Sequence, residues 1–385
     1  MNEQVPASTE TAVNKPFFVY MPGLLMQGSR NIATLRQLDE LYVPVSLSAR
    51  QAMKKGEKDI REHHVNTGRE ILKRAGGRDI KIFAHSMGGF EAIDIVSAMV
   101  ESGGIKDRSI EIIFVATPGL NERGYKGLFD FAKRFADMNI NVTTLEQHTA
   151  YPLPERYYQK HAKYSKAHQG AEVVFKDTPP LRTERKETFL RYLDRIVPDP
   201  AKRAKTIKDL SNIDNLLASR QLTAEEEQKL LKKRTQILHP LIQSIFRGEH
   251  FDSQTHEALL KQYGELPQDL ASVPTSVLSA VRYFGRITKD IFRGLDKKTA
   301  QLVKRSKDAG VNFKLGLAVL ERDAIIKPSD VPKIQTRLNE SNITHAFESV
   351  YLIEQLTHSS PGYYPKPIEG FMKILSDRAN QPATT

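Results

Sequence analysis

The stretch from Lys81 to Phe90, Lys-Ile-Phe-Ala-His-Ser-Met-Gly-Gly-Phe, constrains the fold of this 385-residue chain most tightly. Ile80 to Phe83 has the length and apolar character of a buried strand, and a helix starts soon after and runs through Ala92, Ile93 and Ile95. The chain must therefore turn sharply around Ser86. Strand and helix nearly touch at such a turn, so the residues two before and two after the serine must be small, as Ala84 and Gly88 are. Gly89 lets the helix pack close. This geometry would hold Ser86 in a strained conformation with its hydroxyl exposed above the sheet. The plainer alternative is a strand-to-helix turn in which Ser86 only caps the helix.

Around that turn, strand and helix patterns alternate. Pro16 to Met21 is an apolar run closed by Pro22-Gly23, and Ser29 to Leu41 has helical character. Tyr42 to Leu47 reads as a second strand, with Pro44 pointing to an edge position. A charged helix spans about Arg50 to Ala75 and stops at Gly76-Gly77. After the Ser86 unit comes a further strand, Ser109 to Thr117, closed by Pro118-Gly119. This alternation predicts an α/β fold, a mostly parallel sheet flanked by helices.

The pattern changes at Leu120. Residues 121–309 are too long for a plain connection and mainly helical in pattern, so they read as an inserted cap or lid. Glu122 to Met138 is amphipathic, Thr183 to Val197 carries Phe189, Leu190, Leu193 and Ile196 on one side, and Thr223 to Glu226 forms a capping box. Pro240 is expected to kink or end the helix that this box starts. Val273 to Ile291 bears a further apolar stripe, and Asn139 to Tyr151 together with Ala171 to Phe175 suit a small strand pair within the insert. Strand character returns at Val311 to Leu320 and at Ser349 to Ile353, and a last helix runs from Pro365 to Leu375. The expected organisation is a disordered lead (1–14), a core formed by 15–120 and 310–376, the insert between its two parts, and a disordered tail (377–385).

Composition narrows the function classes. There is no cysteine, which excludes disulfides, thiolate metal sites and a cysteine nucleophile. No apolar run reaches the roughly 20 residues of a membrane span, and the first residues lack a secretory signal, so a cytoplasmic protein is expected. The formal charge of +11 is concentrated in one segment: residues 151–310 hold 30 Lys and Arg against 20 Asp and Glu, while the rest holds 27 against 26. Such an excess can attract nucleic acid or an anionic membrane surface. The plainer reading is the solvated face of Lys-rich helices. No phosphate-cradling Gly-Lys-Ser/Thr loop, zinc finger or aromatic RNA platform is present, and the histidines at 63, 64, 148, 161, 168, 239, 250 and 256 have no metal-ligand spacing. Neither a metal nor a cofactor is expected.

The blocks from Phe17 to about Gly119 and from Val311 to Leu375, under half of the chain, resemble the α/β-hydrolase superfamily. Ser86 stands at the position of that family's nucleophile elbow, with Ala84 where its pattern has Gly. The family's catalytic residues follow the order Ser, Asp or Glu, His, and Ser86, Asp323 and His358 occur in that order at strand ends. The resemblance implies Ser86 as nucleophile, His358 as general base and then acid, and Asp323 as the carboxylate that orients the imidazole. It implies an oxyanion hole from the backbone N–H groups of Met87 and Leu24, with Pro22 where many members have His. Glu321 and Asp330 compete with Asp323 for the acidic role, and His345 competes with His358 from the wrong end of the sheet. The implied substrate is a small ester or thioester, with amides not separable. The alternative function is a catalytically weak scaffold whose basic insert binds an anionic partner.

Overall fold

In the computed structural model, seven strands form one sheet: β1 (Phe17–Met21), β2 (Leu41–Tyr42), β3 (Ile80–His85), β4 (Ser109–Val115), β5 (Glu172–Phe175), β6 (Asn312–Leu320) and β7 (Phe347–Ile353). Their spatial order is β2-β1-β3-β4-β6-β7-β5, and every pairing is parallel. The structure describes residues 15–23, 35–44, 57–105, 108–120, 124–140, 150–157, 171–219, 222–246, 249, 251–255, 257, 291–323, 326–343, 346–354, 356–358 and 360–380. Several sequence expectations fall outside these residues: the lead at 1–14, the helix over 29–34, the strand over 45–47, the helix start at 50–56, the stripe over 273–290, and Leu24 and His345.

The central strands are apolar on both sides because both faces of the sheet are covered. On one face, Val19, Met21, Ile82, Ala84, Ile112, Phe114, Leu315 and Leu317 pack against helices α1 (Glu57–Ala75), α2 (Gly88–Glu101), α3 (Gly124–Ile140), α7 (Leu295–Asp308) and α8 (Val331–Glu340). On the other, Phe18, Tyr20, Phe83, Ile113, Val115, Ala318 and Ile353 meet α4 (Pro179–Ile196), α5 (Pro200–Leu217), α6 (Ala224–Phe246) and α10 (Lys366–Ala379). A short helix α9 (Ser360–Tyr363) precedes α10. At about 1.5–3 kcal/mol per fully buried aliphatic or aromatic side chain, these two layers dominate the favourable side of folding.

The inserted segment does more than cap the sheet. β5 joins the main sheet at its edge, parallel to β7, and Phe189, Leu193, Leu210, Leu238 and Ile242 share a core with the strands; most of the other segment of the expected strand pair, at 141–149, lies outside the described residues. Helix α6 begins at the expected capping box, where Thr223 N–H donates to Glu226 Oε2 at 2.8 Å and Glu226 N–H to Thr223 Oγ1 at 3.3 Å. It then runs through Pro240 to Phe246 without ending. An interior proline costs about 3 kcal/mol. Burial of Leu238, Leu241, Ile242 and Ile245 on both sides of it outweighs that loss. At the end of the chain α10 continues past Leu375, so residues 377–379 belong to the helix rather than to a tail.

Part of the insert's positive charge is spent inside it. Arg234 is fully buried; its Nε donates to Asp214 at 2.9 Å and one terminal nitrogen donates to the carbonyls of Tyr151 and Pro152 at 2.8 and 2.9 Å. Asp177 accepts from Arg185 at 2.7 and 3.0 Å and from Arg182 at 3.2 Å.

Candidate active site

The strand order reverses between β1 and β3: from β1 the chain steps outward to β2, then returns to lay β3 and β4 on the opposite side. In open α/β sheets, the crevice beyond the carboxyl ends of the strands at such a switch is the usual binding position. Ser86 follows β3 there, facing the Pro22–Gly23 turn that follows β1.

The elbow shows why its neighbours are small. Ser86 has φ +52, a left-handed conformation that a non-glycine residue holds only under constraint. Its N–H donates to the Val115 carbonyl at 2.8 Å, tying the turn to β4. A Cβ on Gly88 would stand 2.3 Å from the Met21 carbonyl oxygen, and one on Gly89 would stand 2.3 Å from Thr117 Cγ2. No side chain fits at either position without displacing backbone or the threonine. Ala84 is fully buried, and its carbonyl accepts from Thr117 Oγ1 at 2.6 Å. The helix N-cap position is Met87, without a side-chain cap, and the Ser86 hydroxyl is engaged elsewhere, so the capping alternative for Ser86 falls.

Three side chains meet at this point. His358 Nε2 lies 2.7 Å from Ser86 Oγ, and His358 Nδ1 lies 2.9 Å from Asp323 Oδ2. They come from the loops after β3, β6 and β7, 272 positions apart in the case of Ser86 and His358. All three are buried, with Ser86 the most open at 8% exposure. A carboxylate only accepts, so Nδ1 carries the hydrogen and the neutral ring presents the Nε2 lone pair to the serine hydroxyl.

Local hydrogen bonds set the two flanking residues. Asp323 Oδ1 accepts from the Ile326 N–H at 2.9 Å, while Arg322 N–H donates to the Leu356 carbonyl, also at 2.9 Å, joining the two loops. The His358 loop is closed by Ser360, whose Oγ accepts from Thr357 N–H at 3.0 Å and lies 2.6 Å from Thr357 Oγ1. Asp330, the competing carboxylate, is committed to Arg134 at 3.2 Å and to the Lys327 N–H at 3.0 Å. The ring nitrogen of His358 is bonded to Asp323 and not to Glu321.

Met87 opens α2, where first-turn N–H groups lack intrahelical acceptors and the helix dipole favours negative charge. Leu24, its expected counterpart, lies outside the described residues. Phe189 is buried in the core and forms one wall of a small cavity with Ala150, Thr188, Tyr192 and Tyr364. Among the described residues, no group of three or more His, Asp or Glu side chains could hold a metal ion, and no helix is long and apolar enough to cross a membrane.

Sequence reasoning missed three contributors. Gly23 faces the serine so closely that a Cβ there would stand 2.9 Å from Ser86 Cβ, Thr117 braces the strand end, and His85 touches His358. Gly23 and Thr117 were visible only as turn and strand-end residues, because their partners are far away in the chain. No protein-family model and no curated protein matches this chain.

Proposed function

We propose that the chain is a serine hydrolase of the α/β-hydrolase type that cleaves a carboxylic ester or thioester through an acyl-enzyme on Ser86. The observation that carries this reading is the continuous hydrogen-bonded row from Ser86 through His358 to Asp323, built on a strained serine at the sheet's switch point. Ser86 Oγ attacks the acyl carbon while His358 Nε2 takes its proton. The imidazolium then gives that proton to the leaving alcohol or thiol, and the acyl group stays on Oγ. Asp323 holds the tautomer and balances the positive ring. Water, activated by the same imidazole, releases the acid. The oxyanion formed at each stage sits against the start of α2, with the Met87 N–H as donor and Leu24 as the second.

The test is hydrolysis of p-nitrophenyl esters of increasing acyl length by wild type and Ser86→Ala. Turnover by wild type on at least one chain length, lost by roughly 10⁶-fold in the variant, is the expected result. Equal rates from both proteins would refute the reading.

A further inference from the structure

His85, the last residue of β3, stands one position before Ser86 and is fully buried. Its Nε2 lies 2.8 Å from the backbone carbonyl oxygen of His358. That oxygen only accepts, so Nε2–H is the donor and Nδ1 is the bare nitrogen. Among the described residues, Nδ1 has no hydrogen-bond partner. The ring is packed between Tyr20, with centroids 5.9 Å apart, and the His358 ring, 5.2 Å apart. Tyr20 is itself fully buried, its hydroxyl has no partner, and burial pushes its ionisation well above the ordinary phenol range. Among the described residues, no carboxylate is hydrogen-bonded to the imidazole. Burial, and next the neighbouring His358, lower its pKa to about 3.

We propose that His85 is a positioning residue for the reaction at Ser86, tying the backbone of the base to the strand end that carries the nucleophile. This rests on the hydrolase reading above. Ser86 follows His85 directly in the chain, and the bond ends on the main chain of His358 itself. One side chain thereby fixes two segments 273 positions apart within a residue of each reacting atom. Its neutrality matters as much as its reach. A charged His85 would oppose the imidazolium that must form on His358, whereas an uncharged ring aims an N–H at the carbonyl and leaves the base free to take the proton. A misplacement of about 1 Å in such a pair costs on the order of 100-fold in rate.

Two measurements test it. In wild-type protein carrying ¹⁵N-histidine, His85 should show the neutral Nε2-protonated tautomer and no titration from about pH 8 to about pH 4. Titration near the ordinary imidazole range, or the Nδ1-protonated tautomer, would overturn the proposal. In kinetics on the best p-nitrophenyl ester, His85→Leu should lose about 100-fold in kcat with little change in KM, and His85→Gln, whose amide N–H has comparable reach, should recover most of it. A Leu variant with wild-type kcat, a loss confined to KM, or a folded Gln variant no better than Leu would each refute it. If the Leu variant does not fold, the tautomer and the Gln-to-wild-type ratio decide. Fluorophosphonate labelling separates the two claims. An unlabelled wild type means the Ser86 reading has failed, whereas a labelled wild type with unaffected His85 variants means only this inference has.

Discussion

Two buried polar networks in this molecule do opposite things with the same kinds of groups. In the insert, Arg234 spreads its donors over Asp214 and two carbonyls, and Asp177 is gripped by two arginines. There charges are buried fully paired and stay put. At the sheet's edge, Asp323, His358 and Ser86 form a row with a single hydrogen bond at each link, ending on a neutral hydroxyl held in left-handed geometry. That network is linear and directional, which suits moving a proton rather than balancing charge. The contrast predicts which substitutions damage chemistry and which damage folding.

After Ser86→Ala, the largest effect should come from Asp323→Asn, which keeps the shape but favours the wrong tautomer of His358. We expect about a 10⁴-fold drop in kcat with an unchanged unfolding midpoint, read by ester kinetics beside denaturant unfolding. Arg234→Met is the mirror case. It leaves Asp214 buried with only the partly exposed Lys186 at 3.3 Å, and should cost about 3–5 kcal/mol of stability while the folded fraction keeps its kcat. A large loss of kcat per folded molecule, with little loss of stability, would erase the distinction between the networks.

Smaller effects probe the parts that hold the row. Gly88→Ala drives a methyl into the Met21 carbonyl and should destabilise by about 1–3 kcal/mol, measured by urea unfolding. The His85 ring sharpens the comparison through pH. Its folded-state pKa is lowered from 6.5 to about 3 by burial and then by His358, so on acidification the unfolded chain takes up this proton first. Its contribution to stability is therefore complete above pH 6.5 and is lost as pH falls from there toward about 3. Comparing urea midpoints over that range, His85→Gln should show a shallower decline than wild type by up to one proton. Parallel curves would contradict the buried, neutral ring.

Much of the sheet was legible because its strands are covered on both faces and read as apolar runs, Phe17–Met21 and Ile112–Val115 most plainly. The Ser86 turn was legible because steric demand leaves a local signature in Ala84, Gly88 and Gly89. Asp323 and His358 were picked out by their place just past a strand together with the Ser, Asp, His order of the resembled family. What stayed hidden is non-local. β5 is four residues long with Glu172 and Val173 exposed, too short and too mixed to announce that it pairs with a strand about 179 positions later. Pro240 did not end its helix, because burial on both sides of it holds the helix through. His85 was not singled out, since the carbonyl it binds is 273 positions away.

The most direct measurement of the central claim is covalent labelling of the folded protein by a fluorophosphonate, with the adduct located by peptide mass spectrometry. One adduct is expected, on Ser86, in wild type and none in Ser86→Ala. A folded wild type that takes no label, or an alanine variant that labels equally well, would contradict it.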